Sequence, residues 1–435
     1  MLEPLRHPTF RSLFAAQIVA LVGTGLATVA LGLLAWELAG ESAGAVLGTA
    51  LAIKMVAYVG LAPVAAAIAE RLPRRAFLVG LDLIRAAVIF CLPFVDQVWQ
   101  IYVLIFLLQA ASAGFTPAFQ AVIPDVLPDE GDYTQALSLL RLAEDLEQLA
   151  SPILAALLLT VIGFPVLFLG TVLGFVGSAL LVATARVPGR QAGQTGAFWA
   201  DVTKGLRIYL ATPRLRGLMV MELAVAAAGA MIYVNTVVLV QARLGLGAQA
   251  VALAFAGFGA GSIVAAVLLP RLLRREADRS VMLAGAALMV GGVALVPLIG
   301  SLAGLMALWG AIGFGFALTQ TPIGRIISRS ARAEDRGAVF AAQFALSHAC
   351  WLLTYPLAGR LGAEIGQSAV ALVLAVLGAV ALLAVGWIWP RREPGAVAHA
   401  HPDLPPDHPH LRDHGAAHAH AFVIDRLHPR WPKPA

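Results

Sequence analysis

Apolar residues run through this chain in long blocks separated by short polar breaks, and the blocks recur from residue 10 to residue 389. Their approximate limits are 10–38, 43–69, 77–94, 99–123, 136–162, 166–185, 215–241, 248–269, 281–299, 302–327, 338–361 and 367–389. Each is long enough to cross about 30 Å of hydrocarbon at a helical rise of about 1.5 Å per residue. The blocks are rich in Ala, Leu, Val and Gly, with small residues such as Gly257, Gly259 and Gly261 where helices pack closely. The pattern predicts an all-α membrane protein of twelve transmembrane helices.

The breaks alternate in charge. Every second one is basic: Arg6 and Arg11; Arg71, Arg74 and Arg75; Arg186, Arg190, Lys204, Arg207, Arg214 and Arg216; Arg271, Arg274, Arg275 and Arg279; Arg325, Arg329, Arg332 and Arg336; Arg391 and Arg392. The turns between hold little beyond Arg243 and Arg360, and one loop on the basic side is acidic (Asp125, Asp129, Glu130, Asp132). By the positive-inside rule both termini face the cytoplasm, in a bacterial inner membrane. The longest basic connection follows the sixth block. It divides the chain into a six-helix bundle (1–187), a central loop (188–213), a second six-helix bundle (214–390) and a tail (391–435). The halves echo each other: "EDLEQLASPILAAL" (144–157) aligns with "HACWLLTYPLAGRL" (348–361), Pro152 with Pro356.

Composition supports this reading. Of 435 residues 60% are hydrophobic and 13% charged, against roughly a quarter charged in soluble domains. The net charge of +5 is a topology signal, and nucleic acid is not needed to explain it. Cys91 and Cys350 lie in apolar runs and form neither a disulfide framework nor a CxxC motif. The first block is too long for a cleavable signal peptide. There is no GxxxxGK[ST] loop for ATP and no HExxH, so no enzyme activity and no bound cofactor are expected. A monomeric secondary transporter driven by the proton gradient remains.

Ionisable groups inside a membrane are costly, and so are functional candidates. The densest cluster is "RLAEDLEQ", with Arg141, Glu144, Asp145 and Glu147. Arg141 reaches Glu144 and Asp145 on a helix, and the surplus carboxylates suit a divalent cation or an exchangeable proton. Alternatively the fifth helix starts early and the cluster wets its end. Glu222 suits a proton or a metal; His348 and Cys350 offer imidazole and thiol ligands for nickel, cobalt or zinc. Asp82 and Arg85 fit an i,i+3 pair holding the third helix, and Lys54, Asn235, Gln109 and Gln320 are candidates to line a cavity.

Beyond Pro390 the composition shifts to Pro, His, Asp, Ala and Arg, which predicts a disordered cytoplasmic tail. Eight of the ten histidines lie there: His399, His401, His408, His410, His414, His418, His420 and His428. Imidazoles spaced as His-x-His on a flexible chain coordinate Ni, Co, Cu or Zn.

Several motifs carry a family resemblance. "AAAIAERLPRRAFL" (65–78) resembles the GxLADRxGRR loop of the major facilitator superfamily, with Glu70, Arg71, Arg74 and Arg75 at its charged positions and Ala66 and Pro73 in place of its glycines. "DLIRA" and "FTPAFQAVIPDVLP" resemble its macrolide-exporter branch, and "EQLASPILAA" resembles the antiporter motif GxxxGPxxGG. The resemblance implies a gate in which Glu70, Arg71, Arg74, Arg75, Asp82 and Arg85 pair in one conformation and separate in another. Exporters of this superfamily with a histidine-rich tail resemble the nickel-resistance transporters. That implies efflux of a divalent cation, nickel or cobalt, captured by the tail and exchanged for protons at Glu144, Asp145, Glu147, Glu222 and His348. The alternative is a macrolide-type drug exporter with a metal-binding or regulatory tail.

Overall fold

The computed structural model describes residues 3–69, 72–120, 122–188, 198–275, 277–332 and 335–391 and, in the tail, 397–400, 417–420, 422–425, 427–428 and 430–431. The twelve long helices are α1 (Pro8–Ala39), α2 (Ala43–Ala69), α3 (Arg74–Cys91), α4 (Val98–Gln120), α5 (Glu130–Leu158), α6 (Phe164–Thr184), α7 (Pro213–Val238), α8 (Ala248–Arg275), α9 (Asp278–Ala294), α10 (Leu302–Gln320), α11 (Arg336–Ile365) and α12 (Gln367–Ile388). A linker helix, Phe198–Ala211, precedes α7. Among the described residues nine stretches are long and apolar enough to cross a membrane; the first, Pro8–Tyr58, runs from α1 into α2, while α5 and α9 fall outside the nine. α5 carries the acidic cluster, and α9, at 17 residues, is the shortest of the twelve.

The outer surface is as apolar as the interior. Trp387 is 94% exposed, and Val161, Leu173 and Leu383 also point outward. Water would not tolerate that belt, whereas lipid does. Short connections reverse the chain between successive helices, so both chain ends lie on one face. Contacts on that face agree: Arg74 pairs with Asp125, and Arg279 Nε donates to the Trp389 carbonyl at 3.1 Å. On the opposite face Arg243 donates to the carbonyls of Val296 (3.1 Å) and Pro297 (2.6 Å).

The second six helices repeat the contacts of the first. α1 packs on α6 as α7 does on α12, and α2 on α4 as α8 does on α10. The halves meet where α2 lies on α11 and α8 on α5, which are images of each other under the repeat. Pro152 and Pro356 both lie inside their helices, α5 and α11. At the α2–α11 contact a Cβ on Gly48 would sit 2.4 Å from the Tyr355 carbonyl oxygen, and one on Gly359 2.3 Å from that of Gly44. Within the second half a Cβ on Gly261 would meet the Gly310 oxygen at 1.8 Å. Such approaches exclude any side chain.

Two apolar blocks that the sequence joins are broken in the structure. α4 stops at Gln120 and a short helix, Ile123–Val126, follows; α10 stops at Gln320 and Ile323–Ser330 follows. Pro124 and Pro322 lie at these joints, where a missing N–H and a fixed φ disfavour continuation of the helix. Each short helix is tied to the start of the third helix of its half, with the charges exchanged. Arg74 of α3 pairs with Asp125, whereas Asp278 of α9 pairs with Arg325 and Arg329.

The tail contains the two strands found among the described residues, β1 (Val397–Ala400) and β2 (Ala417–His420). They are antiparallel, with His399 opposite His418. Further on, Phe422 and Ile424 are buried in the cluster formed by Ile208, Tyr209, Leu215, Ile326 and Trp389 on the terminus-bearing face of the second half. Apolar residues spaced through a polar segment account for this docking.

Gly261→Val should break the α8–α10 approach, costing about 1–3 kcal/mol by overpacking and visibly lowering Tm. Gly291→Ala, where a Cβ meets nothing within 4 Å, should leave Tm unchanged or raised; equal effects would refute close glycine packing as the cause.

Candidate functional site

α5 begins at Glu130, capped by Asp129, whose side chain accepts from the Asp132 N–H at 2.9 Å. The residues Arg141 to Glu147 therefore lie about 16–26 Å along the helix at 1.5 Å per residue, well inside it. The side chains of Glu144 and Asp145 lie outside the described residues. Glu147 is half-buried and turns onto α1, where its Oε1 and the Ser151 side chain occupy the space a Cβ on Gly25 would need. It also acts electrostatically on Lys54 of α2 and Tyr233 of α7.

Lys54 and Glu147 thus face the junction between the halves, and aromatic rings line it. His348 of α11 lies against Phe344 (centroids 3.8 Å) and stacks at 6.3 Å on Tyr58 of α2. One turn further along α11, Trp351 meets Tyr355 at 5.0 Å and the edge of Tyr233 at 6.0 Å. Tyr233 continues to Phe255 and Phe258 of α8, and Phe258 to Phe316 of α10. Gly229 makes room for this wall: the Trp351 Cη2 sits 2.2 Å from where its Cβ would be. The His348 Nδ1 is 2.7 Å from the Phe344 carbonyl, leaving Nε2 as the ring nitrogen facing other partners. Aromatic walls with one cation and one anion suit a large, mainly apolar molecule carrying a polar or charged group. A mostly apolar cavity of about 230 Å³ between α2, α4 and α11, beside Pro356 and Arg360, is smaller than usual drug-sized sites.

Glu222 of α7 is elsewhere. It is 3% exposed and accepts from the Nε2 groups of Gln320 (3.3 and 3.4 Å) and Gln343 (3.2 Å). Neither His348 nor Glu147 is among its hydrogen-bond partners, so among the described residues Glu222 stands apart from those two candidates. Among the described residues no three His, Cys, Asp or Glu side chains are grouped to hold a metal. Cys350 points towards the Met219 carbonyl at 4.0 Å, and Asn235 donates to the Ala358 carbonyl at 3.2 Å, tying α7 to α11.

Of the loop that resembles a gate, Glu70 and Arg71 lie outside the described residues and Arg75 is exposed. Asp82 and Arg85 pair inside the first half; Ser178 donates to Asp82 at 2.8 Å, and the Arg85 guanidinium lies 3.9 Å from the Phe115 ring centre and 4.5 Å from that of Phe175. Of the tail histidines, His401, His408, His410 and His414 lie outside the described residues, and only the backbones of His399, His418 and His420 are described. His428 is buried, with Nδ1 2.9 Å from Asp425 Oδ1 and its ring edge-on to Phe422.

The Tyr209–Gln343–Glu222 connection and the aromatic wall escaped the sequence reading. Their signal was present: Gln320 and Gln343 are isolated amides in apolar blocks, and Tyr233, Trp351 and Tyr355 recur along facing helices.

The Major Facilitator Superfamily pattern matches residues 13–276 and again 219–408. The chain belongs to the Major Facilitator Superfamily. It is a multi-pass membrane transport protein. Over 184 residues it is 28% identical to macrolide efflux protein A of Streptococcus pyogenes, covering 41% of this chain and 45% of that one. Over 152 residues it is 28% identical to macrolide efflux protein A of Enterococcus faecalis, covering 33% and 47%. The matched part of the chain thus spans less than half the length of these curated relatives. The fold is similar to that of the nucleoside transporter NupG (TM-score 0.69, 15% identity, 88% of this chain and 100% of that one). It is also similar to a bacterial homologue of the human lysosomal transporter Spinster, inward-facing and unoccupied (TM-score 0.68, 13% identity, 90% and 100%).

Burial alone would push the Asp425 carboxyl up. The hydrogen bonds from the His428 main chain and ring, with the His428 and Arg332 charges, outweigh this and hold it below its usual range. A carboxyl lowered by docking stabilises the docked form above its undocked value and loses that stabilisation as pH falls through the docked value. Residues 422–431 should therefore resist proteolysis near pH 7 and become cleavable below about pH 4; Asp425→Asn should make them cleavable at pH 7. Protection unchanged in both tests would rule out the carboxylate as the tie.

Proposed function

We propose that this transporter exports bulky, largely apolar organic molecules in exchange for protons. The aromatic junction around Lys54 and Glu147, where the halves meet, carries this reading. Rings on α2, α7, α8, α10 and α11 give a broad apolar contact that a hydrated metal ion cannot use, and Lys54 and Glu147 give a polar anchor. The name of the relatives, macrolide efflux protein A, supports the same substrate class. The reading puts the chain in the bacterial inner membrane as a monomer, with the arginine-bearing face and both termini in the cytoplasm.

The second reading is efflux of nickel or cobalt. The register that sets His399 opposite His418 favours it, because histidines at paired positions of adjacent strands supply two ligands of a metal site. In that reading the tail captures the ion and passes it to membrane carboxylates and His348.

Cells expressing the full chain should accumulate several-fold less macrolide than control cells, and an uncoupler should abolish the difference. Trp351→Ala should weaken export about five- to tenfold through lost stacking, at equal protein level in the membrane. Uncoupler-sensitive exclusion of nickel with no change in macrolide would replace the first reading by the second; exclusion of neither would sink both.

A further inference from the structure

The described hydrogen-bond partners of Glu222 are Gln320 and Gln343, none of the rings or charges of the aromatic junction, and its surroundings differ from those of Glu147. We propose that Glu222 is a proton-binding site inside the second half, oriented by Gln343 and Tyr209 and separate from the chamber that holds the exported molecule. This inference rests on the proton-driven export proposed above and specifies where the proton binds.

The carboxyl is enclosed by three elements besides its own. α10 presents Gln320 and α11 presents Gln343, each donating an amide N–H. The linker helix presents Tyr209, fully buried, whose hydroxyl donates to Gln343 Oε1. That bond turns the Gln343 amide so that Nε2 faces Glu222. The apolar cluster around this end of α7 takes Met282 from α9 and Val385 from α12. The titratable groups near enough to feel the Glu222 charge are Tyr209 of the linker helix and Cys350 of α11. Among the described residues no Lys or Arg forms an ion pair with it.

A buried carboxylate met only by neutral donors lacks the cation that would fix its charge, and taking up a proton is the route by which such a group becomes neutral. The geometry also shows what the proton would change. Unprotonated, the carboxylate accepts from both amides and ties α7 to α10 and α11. Protonated, it gains an O–H that faces two donors, so at least one tie weakens. α11 also supplies His348, Trp351 and Tyr355 to the junction, so loosening Gln343 acts on the helix that carries the chamber wall. Proton binding at Glu222 and substrate binding at the junction are thereby linked through α11. Tyr209 and Gln343 act as positioning residues.

Infrared difference titration of the purified full-length protein in lipid reads carboxyl protonation whatever molecule is exported. We expect a protonated-carboxyl band that titrates in the wild type, persists in Glu147→Gln and is missing in Glu222→Gln. Tyr209→Phe, which keeps the ring and loses only the hydroxyl, should move the midpoint of the band by about one pH unit without abolishing it. It should also move the pH dependence of export by a similar amount. A band unchanged in Glu222→Gln overturns the site. A midpoint unmoved in Tyr209→Phe overturns the positioning role. If Glu222→Gln does not fold, as judged by thermal melting, Tyr209→Phe and Gln343→Leu carry the test, and unshifted midpoints in both overturn the proposal. A wild-type protein that shows the Glu222 band and exports no organic compound refutes the transport reading and leaves the proton site standing.

Discussion

Charge inside hydrocarbon must be matched, and the interior of this protein is organised around the few places where that happens. Asp82 and Arg85 meet each other within one helix and are shielded by Phe115 and Phe175. Lys54 and Glu147 belong to different helices of the first half, α2 and α5, and act on each other where those helices border the second half. Glu222 has only amide donors. Self-contained pairing serves a structural tie, because nothing need move for it to be satisfied. An interaction between two helices that border the other half depends on how those helices sit, and pairing with neutral donors depends on protonation. The same physical cost, met in three ways, separates scaffold from moving parts.

The repeat sharpens this distinction. The joints at Arg74–Asp125 and Asp278–Arg325/Arg329 occupy equivalent places, yet the acid and the base have changed sides. Identical joints would place like charges at corresponding positions on the terminus-bearing face; exchanged ones place opposite charges there.

Most of the fold was legible in the sequence. Block length and Arg placement gave twelve helices and an even number of crossings, because hydrocarbon thickness and the cost of charge act on every residue of a span. The breaks at Pro124 and Pro322 were visible only as residues: hydropathy averages across a proline, but the backbone cannot. The early start of α5 stood in the sequence only as an alternative, because its first turns are polar and begin with the Asp129 cap, a local hydrogen bond with no hydropathy signature. Glu147, Glu222 and His348 were legible as unusual residues, but their partners were not. Which helix faces carry Gln343 towards Glu222, or Tyr58 towards His348, depends on the rotation and crossing of helices far apart in sequence. The tail was read from composition, which registers its histidines and overlooks Phe422, Ile424 and Trp431, the few side chains able to dock.

That docking changes the nature of the histidine-bearing segment. The chain leaves the bundle at the end of α12 and is pinned to it again at Phe422 and Ile424, with Asp425 paired to Arg332. A segment fastened at both ends is a loop, and its reach is bounded by its own length. Sixteen residues separate the strands, and a chain of that length fastened on both sides keeps whatever it binds within reach of the second half. Tethering of this kind commonly sets effective concentrations near the millimolar range. Cutting the pin at one end would release the ligand-bearing segment without altering a single imidazole.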